Sequence, residues 1–167
     1  MVDDSRVALL LAESGIRQLY ARYADAVWRK DSASFGDCFT EDAVWKIAGR
    51  TVTGRADIVS LFEMTLVPSE RVMMWVGIPL LDLGRGTASG RTQVTELIKR
   101  KDGSARRTLA IYYDRFVEAA AVWRFQWHHF NLAYLGPTNL SAAYLDCADY
   151  GPPPAMPGAE DPTPVPG

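Results

Sequence analysis

The sequence predicts an α+β fold, with helices in the first part of the chain and a mostly antiparallel sheet in the rest. Apolar residues recur at helical spacing from Ile16 to Val27. They alternate with polar residues along Thr87–Arg100, and an Asp-Gly turn signal follows at Asp102. A helical stripe has a period of 3.6 residues and a strand has a period of two, so the change of period shows where helices give way to strands.

Three helices are predicted. The first runs from about Val7 to Trp28, and its apolar stripe includes Tyr20 and Tyr23. The hydroxyls of these tyrosines need polar partners if the stripe is buried. Asp31 is suited to cap a short second helix. The third helix is predicted to end near Val67-Pro68.

Strands are predicted from alternation and turn signals. A short strand, Ala43–Ile47, precedes the third helix. From Arg71 onward the pattern is strand after strand, and the Asp-Gly turn joins two of them as a hairpin. The long strands are Val72–Asp82, Thr87–Arg100, Arg106–Glu118 and Val122–Tyr134.

Length and composition indicate one domain. Residues 1–150 are predicted to form a single α+β barrel domain with an arm at its end. Residues 151–167 contain seven prolines and three glycines, and we expect a flexible tail or a segment that wraps a neighbouring subunit.

Charge and hydropathy exclude several classes of protein. The net charge is −2 and the sequence has no basic block, so nucleic-acid binding is not expected. No apolar run approaches the roughly 20 residues of a membrane span. The opening MVDDSRVALLLAESG is acidic where a signal peptide is basic, and we expect a cytoplasmic protein. Cys38 and Cys147 lack metal-type spacing and are interpreted as reduced; no metal site is predicted.

Two stretches carry a family resemblance. The first reads "YADAVWRKD…FGDCFTEDAVW…GR…I…LF" and the second "YYDRF…WRFQWHHF". Together they resemble the nuclear transport factor 2-like superfamily, which includes scytalone dehydratase, ketosteroid isomerase, hexachlorocyclohexane dehydrochlorinase and small polyketide cyclases. The resemblance spans residues 7–135. It implies a cone-shaped barrel, a curved sheet wrapped around N-terminal helices with a deep, dry pocket, and association as a homodimer or homotrimer.

The resemblance also shows which catalytic positions have changed. The helix aspartate of the dehydratase and dehydrochlorinase falls at Trp28. The isomerase's base aspartate falls at Ile47, and the dehydrochlorinase's histidine falls at Met74. All three residues are apolar here, so the usual Asp–His dyad is not expected at these positions.

Other positions retain polar groups. By resemblance, Tyr23 matches the isomerase's oxyanion-hole tyrosine and Asp114 matches the acid beside it. His128 falls near a pocket arginine of some dehydrochlorinases, and histidine is suited to proton transfer near neutral pH. Each position also has a purely structural explanation, in which the tyrosine, aspartate or histidine is a hydrogen-bonded core residue.

These residues define the predicted site. His128 moves a proton, while Tyr23, Tyr112 or Asp114 polarises an oxygen of the substrate. Glu96 is a reserve acid–base candidate, because the face of its strand is not determined by the sequence. Alternation along the last strand places Gln126 on the same face as His128. This alternation and the positions matched by resemblance predict an apolar pocket wall. The wall is formed by Trp28, Trp45, Met74, Phe130 and Leu132.

Two classes of function fit this pattern. The first is a cofactor-independent lyase or isomerase that acts on a small, flat, hydrophobic aromatic substrate bearing a hydroxyl or carbonyl group. Dehydration, double-bond migration, cyclisation and retro-aldol cleavage all use such a site. The second is a non-catalytic module, either a small-molecule binder or a structural subunit of the same fold.

Overall fold

The structure, a computed structural model, describes residues 4–166. Met1–Asp3 of the predicted domain and Gly167 of the predicted tail lie outside the described residues. It has the predicted α+β architecture. The helices are α1 (Asp4–Arg29), α2 (Ser32–Gly36) and α3 (Arg55–Leu66). The strands are β1 (Phe39–Ile47), β2 (Arg50–Thr53), β3 (Ser69–Val76), β4 (Leu80–Leu83), β5 (Thr87–Arg100), β6 (Ala105–Ala119) and β7 (Val122–Gly136).

The sheet is mixed but mostly antiparallel. Its order is β2-β1-β7-β6-β5-β3, and β4 pairs with the first part of β5. Only the β1–β7 pairing among these is parallel. Helix α1 contacts β3, β4 and β7, so one face of the sheet and the apolar stripe of α1 share a core. Among residues 4–166, no helix is long and apolar enough to cross a bilayer.

The helices begin and end for local reasons. Asp31 caps α2 as predicted, because its carboxylate accepts a hydrogen bond from the Ser34 backbone N–H at 3.0 Å. The stripe of α1 is buried at Ile16, Leu19, Tyr20, Tyr23 and Val27. Burial of this stripe orients both tyrosines toward the sheet.

The predicted strand Val72–Asp82 is wrong in its extent. The structure divides this stretch into β3 and β4, and residues 77–79 belong to neither. Gly77 donates its N–H to the Gln93 carbonyl, and Pro79 has no N–H to offer a ladder. The chain therefore bends between two short strands that pair with successive parts of β5.

Two bulges in β7 change which residues face the core. Arg115 pairs with Trp127 and Phe116 pairs with Phe125, so Gln126 is an extra residue in β7. Nearer the end of the strand, Leu109 pairs with Tyr134 and Ala110 pairs with Leu132, so Ala133 is a second extra residue in β7. Gln126, which simple alternation predicted on the pocket face, is instead exposed. His128 remains on the inner face, because the bulge resets the alternation before it.

Residues 137–150, here called the arm, form no helix and lie along the outer face of the sheet. Leu145 donates its backbone N–H to the Ala133 carbonyl at 2.9 Å. The Asn131 amide donates to the Ala148 carbonyl at 2.7 Å, and Tyr150 donates its N–H to the Tyr113 hydroxyl at 3.2 Å. The arm therefore covers the outer surface of β6 and β7.

Residues 151–166, here called the proline-rich segment, are the tail that the sequence predicted to be flexible. The structure places them against the sheet. The Arg115 guanidinium donates to the Pro157 carbonyl at 3.2 Å, and the Gly49 N–H donates to the Thr163 hydroxyl at 2.8 Å. Thr163 is buried.

His129 is buried on the outer face, where the arm and the proline-rich segment cover it. Neither ring nitrogen has a hydrogen-bond partner within the described part of the chain. Burial lowers the pKa of His129 from 6.5 to about 4; nearby Lys46 and His128 add to this effect, and Asp161 opposes it. A histidine that is harder to protonate in the fold than in the unfolded chain stabilises the fold at high pH. That stabilisation is complete above pH 6.5 and is lost as pH falls toward 4.

We therefore expect acid to destabilise the wild type more than a His129→Phe variant. Between pH 7 and pH 4 the free energy of unfolding should fall by about 3 kcal/mol more in the wild type. Urea unfolding at a series of pH values measures both proteins, and the comparison cancels the titration of the shared carboxylates. Parallel curves for the two proteins would contradict the expected titration of His129.

Candidate active site

Three polar side chains form a buried layer between α1 and the sheet. Nδ1 of His128 on β7 lies 2.5 Å from Oδ1 of Asp114 on the paired strand β6. The Tyr20 hydroxyl of α1 donates to the other carboxylate oxygen of Asp114. All three side chains are buried. Tyr20 thus has the partner that its position on an apolar stripe requires, and burial, together with the nearby Asp114 carboxylate, raises its pKa.

The His128 ring is surrounded by aromatic side chains. Its centroid lies 4.3 Å from that of Tyr112, 4.8 Å from that of Phe125 and 5.3 Å from that of Tyr23. Because Nδ1 is in hydrogen-bond contact with Asp114, Nε2 is the ring nitrogen left for any other contact. Nε2 is buried and has no hydrogen-bond partner among residues 4–166.

Next to this layer is a cavity of about 230 Å³ between α1, α3 and the inner face of the sheet. Its walls are mainly apolar and aromatic. They include Val27, Trp45, Ile47, Phe62, Leu66, Val72, Met74, Ile98, Phe130, Leu132 and Leu135. A concave, apolar space with a few polar groups is the usual form of a small-molecule site.

Two tyrosines with neighbouring hydroxyls line the cavity. The hydroxyl oxygens of Tyr23 and Tyr112 are 3.5 Å apart, which is the limit of hydrogen-bond distance. Burial raises the pKa of both groups, so both are neutral donors in the physiological range. Because their mutual contact is long, these hydroxyls remain suited to donate to a ligand oxygen.

Glu96 is the carboxylic acid in the cavity wall. It lies on β5, where its cross-strand neighbours are Met74 of β3 and Thr108 of β6, and both of these also line the cavity. Burial raises the pKa of Glu96, and a hydrogen bond with Thr108 partly offsets that rise. The Glu96 charge also raises the pKa of Tyr23 and Tyr112, so the carboxyl group is electrostatically coupled to both hydroxyls.

The structure places the predicted residues in two groups. Tyr23, Tyr112, Trp45, Met74, Phe130 and Leu132 line the cavity. His128 and Asp114 do not, because they lie one layer behind Tyr23 and Tyr112. The residues that the sequence predicts as one site therefore lie in two layers of the structure.

The prediction that Trp28 lines the pocket is wrong. Its side chain is 53% exposed and it is absent from the cavity wall. Val27, which does line the cavity, precedes Trp28 by one residue, and one residue corresponds to about 100° around a helix. Ile47 and Met74, at two other positions that are catalytic in the resembled enzymes, do line the cavity as apolar residues.

Sequence reasoning left three residues of this region without a role. The sequence indicates Glu96 only as a reserve acid–base candidate and Tyr20 only as a hydroxyl that needs a partner, and it gives no signal for Thr108. The register of β5 between β3 and β6 assigns Glu96 and Thr108 to the inner face. Among the described residues, no group of three or more His, Cys, Asp or Glu side chains is placed to hold a metal ion.

A comparison with known families agrees with this architecture. The model of the SnoaL-like domain matches residues 8–128, which is most of the chain. The chain belongs to the SnoaL-like domain family. This membership confirms the resemblance to the nuclear transport factor 2-like superfamily. No curated protein sequence matches the chain.

Solved structures share the SnoaL-like fold. A candidate scytalone dehydratase from Novosphingobium aromaticivorans is 16% identical, with a TM-score of 0.75, and the match covers 83% of this chain and 95% of that protein. A hexachlorocyclohexane dehydrochlorinase, LinA type 2, is 18% identical with a TM-score of 0.72, covering 89% and 99%. The LinA type 3 enzyme from Novosphingobium barchaimii is 16% identical with a TM-score of 0.73, covering 83% and 97%. These similarities show the fold.

Proposed function

We propose that this SnoaL-like protein is a cofactor-independent lyase or isomerase that moves a proton on a small aromatic substrate bearing a hydroxyl or carbonyl group. The observation that carries the proposal is the composition of the cavity. A carboxyl group with a raised pKa, Glu96, shares an apolar space with the hydroxyls of Tyr23 and Tyr112. A base and oxygen-directed donors in a dry site are the requirements of enolisation and elimination.

The size of the cavity limits the substrate. An apolar cavity of about 150 Å³ accommodates benzene. The cavity here measures about 230 Å³, so a single substituted ring or a compact two-ring molecule fits it. Trp45 and Phe130 offer faces for aromatic packing, and the few polar groups orient the ligand.

A proton transfer in this site follows a simple sequence. The ionised Glu96 takes a proton from a carbon next to the substrate carbonyl, and the electrons of the C–H bond form the enolate. Hydrogen bonds from Tyr112 and Tyr23 stabilise the negative charge on the enolate oxygen. In an isomerisation, Glu96 returns the proton to another carbon. In a dehydration, a C–O bond breaks, and the departing hydroxyl takes the proton from Glu96 and leaves as water.

In this proposal Glu96, rather than His128, is the group that moves the proton. His128 is buried outside the cavity wall and its Nδ1 is engaged by Asp114. The layer of Tyr20, Asp114 and His128 packs against Tyr112 and Tyr23 and holds their rings in place. His128 and Asp114 are thus assigned as positioning residues.

The second candidate is a non-catalytic binding module. The observation in its favour is that Ile47 and Met74 line the cavity as apolar residues, at positions that are acidic or basic in the resembled enzymes. Such a protein would bind the same class of aromatic ligand without changing it.

Two further properties stay predictions. They are the cytoplasmic location, which is predicted from the sequence, and the homodimer or homotrimer, which is implied by the resemblance.

Deuterium exchange distinguishes the two functions. The wild type is incubated in D₂O with a panel of aryl ketones and β-hydroxy aryl ketones, and the substrates are followed by NMR. An enzyme of the proposed kind should incorporate deuterium next to the carbonyl or release an unsaturated product. Quenching of tryptophan fluorescence by these compounds, without exchange or product, would support the binding module and overturn the enzymatic proposal.

A further inference from the structure

The proline-rich segment reaches the cavity. Pro166 is part of the cavity wall, together with Ile47 at the end of β1 and Ala48 of the β1–β2 turn. No other residue after Leu135 lines this cavity among those that the structure describes. A stretch that the sequence marked as a flexible tail thus contributes a surface that a bound ligand would touch.

A buried lysine holds this segment in place. Lys46 on β1 is only 5% exposed, and its ammonium group donates to the carbonyl oxygens of Ala159 at 2.6 Å and Asp161 at 2.5 Å. A buried ammonium group is costly unless hydrogen bonds replace its water. The two carbonyls supply those bonds only when the segment is docked, so the lysine favours the docked position.

Further contacts define the path of the segment across the sheet. It passes Arg115 on β6, crosses the outer face to Lys46 on β1, and continues to the β1–β2 turn. There Gly49, with φ of +75°, donates its N–H to the buried Thr163 hydroxyl. A Cβ at Gly49 would lie 2.7 Å from a methyl group of Val165, so the turn and the segment are in close contact.

We propose that residues 157–166 hold Pro166 in place as part of the cavity wall and so limit the length of the ligand that the cavity accepts, with Lys46 as the positioning residue. The limit on ligand length rests on the proposed function, because it requires that the cavity bind small aromatic molecules. Closure of the cavity by the segment does not depend on that function and is tested separately.

Closure is tested by alkylation of a cavity thiol. Val72 is buried and lines the cavity, so Val72→Cys in a Cys147→Ser background reports access to it. We expect iodoacetamide to react with this thiol about tenfold faster after truncation at Tyr150 or in Lys46→Met, because the open state becomes more populated. Lys99→Met, which changes an exposed lysine, should leave the rate unaltered. Glu70→Cys on the same strand measures the reagent's intrinsic rate.

Equal rates with and without the segment, in proteins whose circular dichroism is native, would overturn the proposed wall. Lys46→Met provides this test even if the truncated chain does not fold. Selectivity is measured as the ratio of affinities for 4-phenylphenol and 4-methylphenol, by tryptophan fluorescence. Opening the wall should shift this ratio about tenfold toward the longer phenol, since about 50 Å² of apolar contact corresponds to a tenfold change.

An unchanged ratio would overturn the role of the segment in limiting ligand length. If the wild type binds neither phenol, the proposed function loses its support. The alkylation rates then still decide whether residues 157–166 close the cavity.

Discussion

Glu96→Gln is expected to lower the rate of substrate deuterium exchange by about 10²–10⁴-fold, the usual contribution of a general base. Glutamine keeps the size of the side chain and a hydrogen-bonding oxygen, but it cannot take up a proton. Affinity for a non-reacting phenol should change little, because Trp45, Phe130 and the tyrosines remain. NMR exchange rates and fluorescence titrations measure the two quantities on the same protein.

Glu70→Gln is the matched control, since Glu70 is exposed on the neighbouring strand β3. Its exchange rate should equal that of the wild type. Retention of full exchange in Glu96→Gln would remove Glu96 from the mechanism, and a parallel test of His128→Gln would then decide whether the histidine moves the proton.

The pH dependence supplies a second test of Glu96. Its carboxyl group must be ionised to act as a base, and burial raises its pKa above the usual 4.5. Exchange should therefore increase with pH through this raised value and level off above it. The same shift acts on stability in the opposite direction, because an acid whose pKa is raised in the fold favours folding while it is protonated, and this contribution is lost as pH rises through the raised pKa.

Asp114→Ala is expected to reduce the free energy of unfolding by about 2–6 kcal/mol, because each of the two buried groups left without a hydrogen-bond partner costs about 1–3 kcal/mol. The substitution leaves Tyr20 and His128 buried without their shared acceptor. Unpaired polar groups in the interior lose the hydrogen bonds that compensate for lost water. Urea unfolding followed by circular dichroism measures the effect.

Asp146→Ala is the control, because Asp146 is exposed on the arm. Its effect should stay within about 0.5 kcal/mol. If Asp114→Ala lowers the free energy of unfolding by less than about 1 kcal/mol, the buried layer of Tyr20, Asp114 and His128 does not stabilise the fold as expected. Tyr20→Phe should be milder than Asp114→Ala, and the double variant should cost less than the sum of the two, since both remove the same hydrogen bond.

Local sequence determined the elements of this protein. Alternation gave the bounds of Thr87–Arg100 correctly, and the Asp102-Gly103 signal lies in the hairpin between β5 and β6. The helical spacing of Tyr20 and Tyr23 placed both on the buried stripe of α1. Such features depend on neighbours within a few residues, so the sequence is sufficient to predict them.

Tertiary structure decided how those elements form a site. Glu96 faces the cavity because β5 pairs in a particular register with β3 and β6, and no local pattern indicates that register. The bulge at Gln126 depends on the pairing of β7 with β6. Lys46 meets the carbonyls of Ala159 and Asp161 across more than a hundred residues. Hydrogen bonds and burial between distant segments determine which groups share the cavity, and a single sequence read along its length does not contain those pairings.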